Sequence, residues 1–288
     1  MFLVPGSRFR VQGSAFGVRA FACCVGLVCL AGAPLFAQWP AYVRPGTPRA
    51  GDGRVDLNAP APRASDGHPD LSGVWDSRIE SPRVPAPEIQ SADGPPVATF
   101  FDVGKNITGG LPFTAWAADL RKRRMAAHDE DNPDAHCLPL GFMQLHTHSQ
   151  PREIVQTTGM ILITYEANYG VRQIFTDGRP LPAGDPQPWW YGYSVGHWDG
   201  DTLVVETSGL RDEGWLDVAG APFTSAAHVT ERFRRVSYGR LAIDVTVDDP
   251  KAYTRPWTVR VNQRLLPDQE LIEFICNENE RSSRHFVR

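Results

Sequence analysis

The chain has 288 residues, 22% charged and 42% apolar, with 26 glycines and 25 prolines. After the first 40 positions no apolar run reaches the roughly 18–20 residues a membrane-crossing helix needs, which excludes a multi-span helical membrane protein. Lysine and arginine (29) nearly balance aspartate and glutamate (33), so no basic excess favours nucleic acid as a partner.

Arg8, Arg10 and Arg19 precede an apolar stretch from Ala20 to Leu30, followed by Ala31-Gly32-Ala33-Pro34-Leu35-Phe36-Ala37. A positive start, a short apolar centre and small residues near a cleavage point are the parts of a secretory signal peptide. The expectation is cleavage after Ala37 and a periplasmic or secreted protein; a retained signal-anchor is the alternative. Removing residues 1–37 moves the net charge from −4 to −7 and takes away Cys23, Cys24 and Cys29. Cys137 and Cys276 remain, and in an oxidising compartment two cysteines most economically form one disulfide, the rival being two free buried thiols.

Residues 38–70 are rich in Pro, Ala, Gly and Arg without an apolar period and read as a disordered linker. A single domain is expected over 71–288. Leu71-Ser72-Gly73-Val74-Trp75 gives a short strand signal. Thr114 to Ala127 reads as the one short helix, with Thr114 as N-cap, Asp119 and Arg123 paired at i,i+4, and Arg121-Lys122-Arg123-Arg124 as a solvated basic end. From Arg152 the apolar period becomes two. Strands are expected at 153–157, 160–166, 171–175, 191–198, 201–207, 227–236, 240–247, 256–265 and 270–276. Asp177-Gly178, Asp199-Gly200 and Tyr238-Gly239 mark tight turns. The fold class is all-β: an antiparallel meander closing into a barrel, because closure removes exposed strand edges.

Gly73-Val74-Trp75 at the head of such a meander resembles the Gly-x-Trp that opens lipocalin-like (calycin) barrels. That likeness implies that Trp75 plugs one end of the barrel under an arginine, with Arg281 or Arg284 as candidates. The segments Asn132 to Pro139, Arg172 to Pro180, Gly192 to Gly196, Gly200 to Thr207 and Thr230 to Phe233 are similar to a large family of uncharacterised exported bacterial proteins. This second resemblance covers about residues 70–288. It implies export and a fold, and it assigns no activity.

Three constellations bear on chemistry. His146-Thr147-His148 would, on an extended segment, present two imidazoles on one face to a metal ion, the only cofactor suggested; both are equally ordinary loop histidines. Polar residues alternate along the strands: Glu206, then His228, Thr230 and Arg232 on one face of a strand with Glu231 and Phe233 on the other. Asp244, Thr246 and Asp248 share a face, as do Arg260, Asn262 and Arg264. These faces either meet solvent or line a wet cavity. In the second case a carboxylate among Glu206, Glu231 and Asp248 beside His228 is a candidate general base. Finally, Trp189, Trp190, Tyr191, Tyr193, Trp198, Trp215, Tyr253 and Trp257 concentrate ring surface that suits either a core or a cavity mouth.

The function read from these residues is an exported barrel binding a small aromatic or sugar-like molecule in its interior, with Arg172, Trp190, Tyr193, Trp257 and Arg260 as ligand-binding candidates. The alternatives are a secreted lyase or hydrolase, with or without a metal held by His146 and His148, and a structural protein of the cell envelope.

Overall fold

A computed structural model describes residues 42–77, 94–128, 130–184, 187–276 and 278. Residues 1–37, expected to be a signal peptide, lie outside the described residues, as do Arg281 and Arg284.

Nine strands form a closed barrel in chain order: β1 (Gly73–Asp76), β2 (Arg152–Thr157), β3 (Met160–Tyr165), β4 (Val171–Phe175), β5 (Tyr193–Asp199), β6 (Thr202–Ser208), β7 (His228–Ser237), β8 (Arg240–Asp248) and β9 (Trp257–Leu265). Three hairpins have two-residue loops: Thr158-Gly159 joins β2 to β3, Gly200-Asp201 joins β5 to β6, and Tyr238-Gly239 joins β7 to β8. Such loops match the right-handed twist of the strands, and Gly159 and Gly200 supply the positive φ they use.

The meander departs from the expectation at one junction. β4 and β5 run parallel and pair only through Ile174 with Ser194 and Phe175 with Val195. A parallel pair needs a crossover instead of a hairpin, and residues 176–192 provide it. The expected strand at 270–276 is absent. β9 already pairs with β1 through Leu265 with Trp75 and Arg264 with Asp76, which leaves that segment no free edge there. It is tied instead by a Cys137–Cys276 disulfide, with Cα atoms 5.7 Å apart, and by the Ile272 N–H on Glu166 at 3.3 Å.

Alternation sorts each strand into an inner and an outer face. Leu203, Val205 and Thr207 of β6 are buried, as are Val229, Glu231, Phe233 and Arg235 of β7 and Leu241, Ile243, Val245 and Val247 of β8. These inward side chains form one buried core with polar members at Thr207, Glu231 and Arg235. Trp75 is fully buried, its indole N–H donating to the Leu71 carbonyl at 3.0 Å. Among the described residues, Arg235 lies over its ring at 5.0 Å.

Two helices matter for the site. α1 (Ala115–Ala126) starts at Thr114, whose hydroxyl accepts from the Ala117 N–H. Its basic end is not uniformly solvated: Arg124 lies 4.5 Å over the Trp215 ring and donates to the Gly220 carbonyl, and burial lowers its pKa to about 10. α2 (Phe142–Thr147) is buried along its whole length and feeds Phe142, Met143 and Leu145 into the core.

Residues 42–70 are not the disordered linker expected of 38–70. They make bridged turns at Arg49 with Val55 and Arg63 with Pro69. Backbone N–H groups of Tyr238 and Gly239 donate to Ala59 and Leu57 at 2.7 and 2.8 Å, and Leu57 packs on the core. Composition hid this because the arm is held by scattered contacts, its carbonyls, Leu57, Arg63 on Asp201 and His68 on Trp198, and not by a periodic apolar face.

Candidate functional site: a polar network behind an aromatic cleft

Glu231 lies on the apolar parity of β7, between Val229 and Phe233, and is fully buried. Arg172 occupies the matching position on β4, two residues before Ile174, and is 1% exposed. Both Arg172 Nη atoms donate to the Glu231 carboxylate, Nη1 to Oε1 at 3.0 Å and Nη2 to Oε2. His146 of α2 donates from Nε2 to Oε1 at 2.8 Å, the tautomer that an ionised carboxylate selects. Arg172 also reaches Ser194 Oγ at 3.1–3.2 Å and Thr207 Oγ1 at 2.9 Å, and these two hydroxyls are 2.9 Å apart.

The electrostatics follow from this geometry. Burial alone would raise the Glu231 pKa, but the Arg172 guanidinium and the His146 N–H outweigh it and hold the carboxyl below its usual range. Burial lowers the His146 pKa against the opposing pull of Glu231, so the imidazole is neutral. Burial raises the Tyr165 phenol to about 12; the Arg172 charge acts on it without a well-formed hydrogen bond. Arg152, inward on β2, donates to the carbonyls of His146 (2.5 Å) and His148 (2.9 Å), which caps the C-terminus of α2 with a cation.

The same network forms the floor of a cleft. Where β4 and β5 part, Arg172 and Ser194 border an opening of about 340 Å³ whose walls are Phe175, Trp189, Trp190, Tyr191 and Tyr193, with Arg211 at the rim. Gly192 sits at φ +63° with Ser208 O only 2.6 Å from where a Cβ would be, so only glycine fits this turn. The turn sends Tyr191 inward, its ring 6.2 Å from Tyr165, while Tyr193 stacks on Phe175 at 5.2 Å. Arg179 lies 3.9 Å over Phe175 and donates to Tyr193 Oη at 3.2 Å. Arg211 lies 4.8 Å over Trp190. The Trp189 N–H on the Gly209 carbonyl at 2.8 Å anchors the aromatic segment to the chain leaving β6.

The residues proposed from sequence are thus divided. Arg172, Trp190 and Tyr193 meet in one cleft. Trp257 is a core residue packed 5.4 Å edge-on against Tyr253. Arg260 is on the outer wall, paired with Asp244 at 2.5 and 2.7 Å.

The carboxylates proposed as partners of His228 do not meet it in a cavity. His228, Glu206 and Asp248 are on outward parity, with His228 opposite Asp248 and Glu206 opposite Thr230, whereas Glu231 points inward. Alternation separates adjacent positions by the thickness of the wall. It also puts Ser194 inside the barrel and His228 and Asp248 outside. The metal reading of His146 and His148 assumed an extended segment. His146 ends a helix, where positions two apart are about 200° apart around the axis. It turns to Glu231, while His148 accepts from the Gln150 N–H at 3.0 Å and meets the Phe100 ring at 4.7 Å. Among the described residues no three His, Cys, Asp or Glu side chains are grouped to hold a metal ion.

Sequence reasoning named Tyr191 only among rings that suit a core or a cavity mouth, and missed Tyr165, Ser194, Thr207 and Arg211 as parts of the site. Tyr165, Ser194 and Thr207 have no signal of their own, since hydroxyl-bearing residues are common in strands. Arg172 and Glu231 did carry one: a charge on the same parity as Ile174, Val229 and Phe233.

Fold and site together define a closed, filled, nine-stranded β-barrel with a buried ion pair behind an aromatic cleft at its one parallel junction. No protein-family model, curated protein or solved structure matches this chain.

Proposed function

We propose that this is an exported barrel that binds a small ring-bearing organic molecule in the cleft between β4 and β5, on its wall and not in its filled interior. One observation carries the reading: four aromatic side chains from residues 189–193 and Phe175 from β4 surround one opening whose floor is polar and fully buried. A cleft of this size with rings for walls and few polar groups has the character of a small-molecule site. The buried ion pair suits a floor rather than a reagent. Arg172 and His146 already occupy the Glu231 carboxylate, and the cleft borders Arg172 and Ser194 rather than Glu231. Export is supported by the charged, apolar and small-residue pattern of residues 1–37 and by the Cys137–Cys276 pairing.

The test is calorimetric titration of the purified protein with 2-naphthamide, 2-naphthoate and phenyl β-glucoside. At least one should bind, and Trp190→Ala or Tyr193→Ala should weaken it by about 2- to 10-fold, the worth of one aromatic contact. Binding of none, or affinities unchanged in both variants, overturns the reading.

A further inference from the structure

We infer that the cleft selects an anion: an aromatic acid whose ring lies against Trp190 and Tyr193 and whose carboxylate meets Arg211. This rests on the ligand-binding reading above and narrows its substrate class. The cleft's lining holds two arginines, Arg172 and Arg211, and no aspartate or glutamate among the described residues.

The two arginines are not equivalent. Arg172 is fixed and neutralised by Glu231 behind the floor. The charge of Arg211 is available. Its partner Glu213, at 3.1–3.3 Å, stands outside the lining with its side chain 60% exposed. Such an exposed pair is weak and screened, so a bound carboxylate can take over the guanidinium while Glu213 turns to water. Stacking on Trp190 holds that guanidinium at the rim, in position for the bidentate pairing that arginine makes with a carboxylate.

The Tyr191 hydroxyl is buried away from the opening, so Arg211 supplies the charged donor for a ligand oxygen. Donors therefore outweigh strong acceptors around the opening. A neutral sugar's hydroxyls would find only the Gln173 and Gln187 amides as side-chain carbonyl acceptors here, and no carboxylate among the described residues. An aromatic acid brings a ring and acceptors, which matches both walls and rim.

The experiment compares 2-naphthoate with 2-naphthamide, which share a ring and differ in charge, on the wild type and on Arg211→Gln. The wild type should prefer the acid by roughly 3- to 10-fold at low salt, a margin that shrinks as salt screens the pair. In Arg211→Gln the preference should vanish while naphthamide binding stays within about twofold, showing that the cleft is intact. Equal affinities for the two in the wild type overturn the anion selection yet leave an aromatic cleft standing. A preference that survives in Arg211→Gln overturns the assignment to Arg211. Binding of neither probe overturns this inference; if phenyl β-glucoside then binds through Trp190, the cleft is a sugar site and only the anion reading falls.

Discussion

Arg172 and Arg235 both point into the barrel, and both lie on an aromatic face, Phe142 at 4.8 Å and Trp75 at 5.0 Å. They are satisfied in opposite ways. Arg235 donates to carbonyls of Asp70, Ser72 and Tyr238, and burial without a bonded counter-charge lowers its pKa to about 10. Burial works against the charge of Arg172 too, but Glu231 outweighs it and shifts Arg172 upward. The first arginine closes one part of the barrel by binding chain: residues 70 and 72, and the β7–β8 hairpin. The second belongs to a balanced charge cluster that also borders the cleft. Backbone dipoles are enough to bury a guanidinium where the chain must be tied down. Arg172 is balanced by a carboxylate instead, although both guanidiniums border an opening.

The comparison breaks first at Glu231. Glu231→Gln keeps the shape and leaves Arg172 buried without a counter-charge, so urea unfolding should show a loss of about 3–5 kcal/mol. Adding Arg172→Met should restore part of it, since two neutral groups remove the uncompensated charge. A loss under about 1 kcal/mol would mean that Arg172 is satisfied without its carboxylate, as Arg235 is.

At the other arginine, Trp75→Ala should cost about 3–5 kcal/mol through the cavity it leaves. Trp189→Ala, at a half-exposed ring of the cleft, should change stability by about 0.5 kcal/mol or less. Similar small effects at both sites would remove residues 71–76 from the core.

The smallest effect is the most discriminating. Burial keeps His146 neutral, so the unfolded chain takes up a proton that the native state resists. Stability should fall as pH drops below about 6.5, the ordinary histidine value. The lowered pKa of Glu231 adds a second loss below about 4.3, where the unfolded glutamate protonates first. Asp217 works in the opposite sense. Burial raises it to about 6 despite the Ala221 and Val103 N–H groups it accepts from, so its contribution grows as pH falls through that value. Urea midpoints between pH 7.5 and 5 should therefore decline less steeply in His146→Gln and more steeply in Asp217→Asn than in the wild type. Identical slopes in all three would show that neither group is coupled to folding.

Much of this molecule is written in local pattern. Period-two alternation, glycine-bearing two-residue turns and β-branched runs mark β2 to β9 and the barrel class, and Leu71 to Trp75 mark β1, because each is a short-range property of the backbone. Two cysteines outside the apolar N-terminal segment suffice to pair Cys137 with Cys276. The site was half legible: Trp190, Tyr191 and Tyr193 stand out as rings beside a turn, while Arg172 and Glu231 are legible as charged candidates but not as a pair. Which face turns inward was not legible on β7, where His228, Arg232 and Arg234 alternate with Glu231 and Arg235 and both faces carry charge. Only closure of the barrel chose, by burying the face that also holds Val229 and Phe233. Tertiary structure alone also made Phe142–Thr147 a helix, since six residues are too few to form one from propensity and need a core around them. It likewise set β4 parallel to β5, because pairing across a 17-residue crossover depends on which edge remains open when the neighbouring hairpins have formed. The cleft lies at that junction, which is why its two walls, β4 and residues 187–193, could be read as elements but not as neighbours.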